Sequence, residues 1–205
     1  MDRELRTKDT YNRIAKQWAA EHNTPEYWHK EFETFSQLLP KGKILDVGCG
    51  AGRDYQLFRG SQYEYTGVDY SSGLLEVACV RFPEAHFVLG DIYDLPFADE
   101  AFSGFWAAAS LLHIPKQRIG EALARVRRAI QPEGIGAIML KKGIGEQMVR
   151  DDNQSGDSTD ERFFAYWQKD EFTNTVSKQN FAVVDFLEHP VSARTSWLSF
   201  FVKAI

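Results

Sequence analysis

The 205-residue chain has no apolar run near the roughly 20 residues that span a bilayer, and Met1 to Arg6 carry no hydrophobic signal core. No membrane partner is expected, and the expected location is cytoplasmic. Cysteine is scarce, with only Cys49 and Cys79, so a disulfide framework is excluded and both thiols suit a reducing compartment. No cysteine and histidine spacing matches a zinc site, so no metal is expected. Positive charge is not in excess: 24 lysines and arginines face 29 aspartates and glutamates, a net charge of −5. Displacing counterions from nucleic acid needs a basic face, and no nucleic-acid partner is expected. Internal repeats are also lacking.

What remains is ordinary for a folded domain, with 43% hydrophobic and 26% charged residues. A chain of this length suffices for one three-layer unit, taken as residues 1–205. Residues 9–39 read as helix interrupted at Asn23-Thr24-Pro25, rich in aromatics that include Tyr11, Trp18, Trp28, Phe32 and Phe35. Strands are then expected at 43–47, 63–69, 85–90, 103–109, 134–141, 181–187 and 196–203, alternating with helices. That alternation favours parallel crossovers and an α/β, doubly wound sheet. Ile119, Leu123, Val126 and Ile130 recur at helical spacing, so one helix face packs on the sheet, and Gln131 to Gly134 stop the helix. Arg125, Arg127 and Arg128 on that helix read as a solvated face. Cys79 is placed on an apolar helix face, and Cys49 inside a tight turn that needs a small side chain. Residues 151–160, polar and acidic, read as a mobile loop. A helix then runs to about Gln179, stopped by Asn180.

The informative stretch is Lys43-Ile44-Leu45-Asp46-Val47-Gly48-Cys49-Gly50-Ala51-Gly52-Arg53-Asp54, an apolar strand entering a glycine turn, followed by Gly67-Val68-Asp69 at the next strand's end. Glycines let backbone approach a ligand where a β-carbon would collide, and a carboxylate at Asp69 accepts ribose hydroxyls. A dinucleotide turn reads G-x-G-x-x-G, but here the third glycine comes one place early and Arg53 stands where it belongs. Asp46, still on the strand, would set a carboxylate beside the ligand. That disfavours a pyrophosphate, as a nicotinamide oxidoreductase would need, and favours a ligand with an ammonium and a sulfonium.

Ile44 to Gly52 resembles the first motif of class I S-adenosylmethionine-dependent methyltransferases, and the rest follows that family's order. Tyr65-Thr66-Gly67-Val68-Asp69-Tyr70-Ser71 resembles its second strand and ribose acid. Val88-Leu89-Gly90-Asp91-Ile92-Tyr93-Asp94-Leu95-Pro96-Phe97 resembles the third strand and adenine loop. The resemblance implies a Rossmann-like, seven-stranded sheet of order 3-2-1-4-5-7-6 with strand seven antiparallel, residues 41–205, behind an N-terminal helical lid, residues 1–40. It implies S-adenosylmethionine as cofactor, leaving as S-adenosylhomocysteine. Asp69 is then assigned to the ribose, Asp91 with Ile92 to the adenine, and Asp46 with Gly48 and Gly50 to the amino-acid end. Tyr11, Cys49, Tyr70 and Ala107 complete the cofactor set.

His113, in Ser110-Leu111-Leu112-His113-Ile114-Pro115 after the fourth strand, is the candidate catalytic base. Strand four ends in Ala107-Ala108-Ala109-Ser110, without the Asn-Pro-Pro-Tyr or Asp-Pro-Pro-Tyr run of relatives that methylate exocyclic or amide nitrogens, which points to a small-molecule acceptor. Trp18, Trp28 and Phe32, with Arg162, Phe163 and Tyr166, are candidates for the acceptor pocket, and the acidic loop beside them hints at a cationic acceptor. Two functions fit: methyl transfer to a small molecule, or a non-catalytic domain that binds the cofactor as a sensor or assembly partner. Oligomeric state and acceptor identity are not encoded in any motif.

Overall fold

The computed structural model describes residues 2–150, 160–192 and 195–205. The residues of the expected mobile loop other than Asp160 lie outside the described ones. Seven strands form one sheet in the order β3-β2-β1-β4-β5-β9-β8. They are β1 (Gly42–Val47), β2 (Tyr63–Asp69), β3 (His86–Leu89), β4 (Phe102–Ala108), β5 (Ile130–Lys141), β8 (Phe181–Ser192) and β9 (Thr195–Ala204). The first five are parallel, and β9 slots in antiparallel between β5 and β8. This is the expected order, with β8 and β9 as the sixth and seventh strands of the sheet.

Central parallel strands covered on both faces are apolar throughout, which is why Ile44, Leu45, Val47, Phe105, Trp106 and Ile138 are all buried. Helix α5 (Ile119–Ala129) lays Ile119, Leu123 and Val126 on the sheet, as its spacing predicts. The expected stop at 131–134 is a bulge instead. Strand β5 begins at Ile130, pairs with Phe102, then skips to Ile135 opposite Gly104, with Glu133 at φ +67°. Helix α3 (Tyr55–Phe58) lies between β1 and β2, α4 (Ser72–Arg81) between β2 and β3, and α6 (Lys169–Ser177) precedes β8. Helix α6 ends at Ser177 with Lys178 as its C-cap, short of the expected Gln179, and Asn180 takes a left-handed φ of +58° in the turn that follows. Cys49 is buried while Cys79 is exposed, so the second lies on no apolar face.

The N-terminal 40 residues divide between two environments. Helix α1 (Arg3–Glu21) starts earlier than expected because the Asp2 side chain accepts from the Glu4 N–H at 3.1 Å and caps it. After a 3-10 turn at Pro25–Trp28, α2 (His29–Leu38) turns into the core. Trp28 and Phe35 are fully buried there, Phe35 against Phe58 and Trp106, Trp28 against Trp197.

A second, two-stranded sheet was not foreseen. Strands β6 (Glu146–Arg150) and β7 (Glu161–Ala165) pair antiparallel beside α1. The Thr10 hydroxyl donates to the Glu161 carbonyl at 2.9 Å, and the Phe163 N–H donates to Thr7 Oγ1 at 2.9 Å. Arg13 pairs with Asp160, and Arg6 with Glu161.

Candidate active site

A cavity of about 390 Å³ opens at the carboxyl ends of β1, β2 and β4, where ligands bind in parallel sheets. Helix α1 covers it with Leu5, Lys8, Tyr11, Trp18, Ala19 and His22, and the turn from Gly48 to Ala51 forms its base. The glycines of that turn serve different ends. A β-carbon on Gly48 would sit 2.3 Å from Ser110 Cβ, and one on Gly52 about 3.0 Å from the Phe82 ring, so both are required by the protein's own packing. Ser110 fills the first gap and donates from Oγ to the Val47 carbonyl at 2.6 Å. Only around Gly50, at φ +55°, is there room: its nearest neighbour would be Leu74 Cδ1 at 3.8 Å.

Asp69 lines the cavity and ties the turn together. One carboxylate oxygen accepts from the Ser71 N–H at 2.8 Å and the other from the Gly50 N–H at 2.8 Å. A carboxylate offers about four acceptor positions, so with the Ser71, Gly50 and Tyr70 amides bound about one is left for a ligand. Burial raises its pKa to about 6, against the pull of the Ser71, Gly50 and Tyr70 amides. Gly48, Cys49, Gly50, Tyr70, Asp91, Ile92, Tyr11 and His113 also line the cavity.

Two cofactor candidates do not. Asp46 turns away, buried, and its carboxylate accepts from the Tyr65 hydroxyl at 2.6 Å. Burial, then the nearby charge of Asp54, holds its carboxyl well above the carboxylate range. Ala107 is enclosed between β1 and β5, and the cavity meets Ala108 to Leu111 instead. Ala109 adopts φ +58°, a strained value for a residue with a β-carbon, which carries Ser110 over Gly48.

Among the acceptor-pocket candidates, only Trp18 reaches the cavity. Its ring is already engaged: His22 stacks at 3.4 Å between centroids, and the Arg162 guanidinium lies 4.3 Å from the ring centroid. Trp28 and Phe163 are fully buried in the core, and Phe32 packs on Phe58 and Trp106. Tyr166 accepts from Gln147 outside the cavity. Arg162 is buried behind Tyr11 and donates to its hydroxyl at 3.0 Å.

His113 is enclosed. Its Nδ1 lies 2.6 Å from the Phe163 carbonyl, which only accepts, so Nδ1 carries the proton and Nε2 accepts from the Tyr11 hydroxyl at 2.8 Å. Burial, reinforced by Arg162, lowers its pKa to about 3. Sequence reasoning missed Glu4, Tyr93 and Arg118 at one end of the cavity. The Tyr93 hydroxyl and the Arg118 guanidinium both donate to Glu4, at 2.5 and 2.9 Å, bolting the start of α1 over Asp91 and Ile92. It also missed His22, Arg53 and Asp54 at the other end. Arg53 had a visible signal, since it displaces the third glycine of a dinucleotide turn.

Residues 44–134 match the family model described as a methyltransferase domain. Over that segment the chain is similar to the class I S-adenosylmethionine-dependent methyltransferases. It is 30% identical over 151 residues to a demethylmenaquinone methyltransferase of Symbiobacterium thermophilum, covering 65% of this chain and 58% of that one. It is 35% identical over 96 residues to the O-methyltransferase cnsE of Penicillium expansum, covering 43% and 34% of the two chains. The chain thus spans well under two thirds of these curated relatives. In structure it superposes with a TM-score of 0.79 on the Burkholderia thailandensis 1,6-didemethyltoxoflavin-N1-methyltransferase, at 18% identity over 98% of this chain and 88% of that one. That likeness concerns the class I methyltransferase fold.

Proposed function

We propose that the protein transfers a methyl group from S-adenosylmethionine to a small-molecule acceptor. The carrying observation is the cavity itself, which brings Asp69, the Gly48 to Gly50 turn, Asp91 with Ile92, Tyr11 and His113 to one place beneath α1. The donor set fits a cationic nucleoside: Asp54, Asp69 and Asp91 supply carboxylates, and Gly50 leaves space where a β-carbon would intrude. When bound, the cofactor supplies an electrophilic methyl group on a sulfur already primed to leave.

In this reading Asp69 accepts from the ribose hydroxyls, Asp91 and Ile92 hold the adenine, and Cys49 and Tyr70 pack beside the nucleoside. The protein contributes alignment and exclusion of water, which α1 performs by covering the cavity. Tyr11 is the polar group of α1 nearest His113, and its hydroxyl is fixed between Arg162 and His113. Protonating His113 at pH 7 costs on the order of 5 kcal/mol for a group with a pKa of about 3. In this reading His113 is a positioning residue that, together with Arg162, fixes the Tyr11 hydroxyl at the cavity.

The names of the relatives, a demethylmenaquinone methyltransferase and an O-methyltransferase, support a small organic acceptor. The deciding experiment profiles a metabolite library with labelled S-adenosylmethionine. Formation of S-adenosylhomocysteine that depends on one acceptor is the expected result. Tight cofactor binding with no turnover across the library would favour the non-catalytic binding domain instead.

A further inference from the structure

Asp69 is reached from helix α1 by a short chain of hydrogen bonds. Its carboxylate accepts from the Ser71 N–H at 2.8 Å, and Ser71, fully buried, caps α4 by accepting from the Leu74 N–H at 3.2 Å. The Ser71 hydroxyl proton then needs an acceptor of its own. It goes to Asn12 Oδ1 on α1, 2.8 Å away, and the same atom accepts from the Gly73 N–H at 3.0 Å. Two donors on one atom identify it as the amide oxygen. The first amides of a helix have no partner within it, and here α4 satisfies Leu74 with its own cap and Gly73 with a side chain 61 positions away.

The backbones of α1 and α4 also touch at this point. A β-carbon on Gly73 would stand 2.7 Å from the Asn12 carbonyl oxygen and 3.0 Å from its Cα, so only glycine lets the helices meet. Around the contact, Tyr11, Ala15 and Ala19 of α1 pack with Leu74 of α4 and Ala51 of the glycine turn, as a small cluster apart from the main core. Lifting α1 therefore strips Ser71 and Gly73 of their shared acceptor while the main core stays packed. Asn12 is not among the residues that line the cavity, and what it holds in place is the turn that runs from Asp69 into α4.

We propose that Asn12 is a positioning residue that couples the seating of α1 to the ribose acid: Asn12 fixes Ser71, and the Ser71 amide fixes the Asp69 carboxylate. The inference rests on the methyl-transfer reading, in which Asp69 receives the ribose. Coupling between two sites is reciprocal. A nucleoside held by Asp69 strengthens the docking of α1, and a raised α1 leaves Asp69 less well ordered for the nucleoside. The cover thus closes in response to the ligand as well as lying over it.

A double-mutant cycle read by calorimetry with S-adenosylhomocysteine tests this, because a residue that acts through Asp69 loses its effect once Asp69 is gone. Asn12→Ala is expected to weaken binding about five-fold in the wild-type background and less than about two-fold in the D69A background. Asn12→Asp, which keeps an acceptor oxygen for Ser71 and Gly73, is expected to retain affinity within about two-fold. Gly73→Ala, which displaces the α1 backbone, is expected to follow N12A in both backgrounds. The 2′,3′-dideoxy analogue of S-adenosylhomocysteine repeats the cycle from the ligand side with Asp69 intact, so the result does not depend on D69A folding, and melting temperatures check the other variants. Equal fold-losses in both backgrounds, no loss for N12A, or no rescue by N12D would overturn the coupling and leave the methyl-transfer reading standing. A wild-type chain that does not bind S-adenosylhomocysteine would overturn both.

Discussion

Helices α1 and α2 are neighbours in sequence and alike in aromatic content, yet they are held by different forces. The buried side chains of α1 are Thr7, Thr10, Tyr11, Ala15 and Ala19, small or polar, and its contacts with β7 are largely hydrogen bonds and ion pairs. The segment leading into α2 buries Trp28, and α2 buries Phe35, both without solvent exposure. Each such ring contributes about 1.5–3 kcal/mol by burial, whereas a single hydrogen bond nets about 0.5–1.5 kcal/mol. On these contacts α2 is expected to be the foundation and α1 a cover that opens at lower cost.

Substitution on α2 tests the contrast most severely. Phe35→Ala is expected to cost about 3–5 kcal/mol of global stability by denaturant unfolding. A loss under about 1 kcal/mol would mean that α2 is no foundation.

Beneath α1, Asp69→Ala is expected to weaken S-adenosylhomocysteine about ten-fold or more, since hydrogen bonds to a charged group contribute ~1.5–3 kcal/mol. Calorimetry showing equal affinities would remove Asp69 from the ribose.

The same carboxyl sets a pH dependence. Its pKa of about 6 in the fold lies above the ordinary value, so ligand binding, which favours the ionised form, is steady above pH 7 and weakens as pH falls through 6. Each pH unit below that point costs about 1.4 kcal/mol at most. The ligand-free protein responds in the opposite sense at this group. A buried charge opposes folding, so the contribution of Asp69 to stability improves as pH falls from about 6 toward the ordinary carboxylate range. Affinity that is flat from pH 5 to 8 would contradict this.

The smallest effect sharpens the comparison. Thr10→Val removes the bond to the Glu161 carbonyl and is expected to cost about 1 kcal/mol, appearing as faster amide exchange in α1 with α2 unchanged. Equal acceleration in both helices would show that they open as one unit.

The sheet was legible because parallel strands buried on both faces are written as short apolar runs between turn signals. Its order came from the resemblance carried by the motifs at 44–52, 65–71 and 88–97. The β6–β7 pair was not legible, since Glu146 to Arg150 is half polar and its partner is fixed by packing on α1. Within the site, residues set by local backbone were readable: Gly48, Gly50, Asp69, Asp91 and Ile92 all line the cavity. Asp46 was misplaced because strand alternation gives the face on which a side chain emerges, while Tyr65 on the adjacent strand decides what it meets.

Local chemistry along the chain thus specified the glycine turn, the acid at the end of β2 and the alternation of strand with helix, because each depends on neighbours a few residues away. Only tertiary packing decided that Arg162 lies against Trp18, that His113 spends both nitrogens on Tyr11 and Phe163, and that Arg53 and His22 line one cavity. Those pairings join residues separated by tens of positions, and their geometry comes into being only when α1 settles over the sheet.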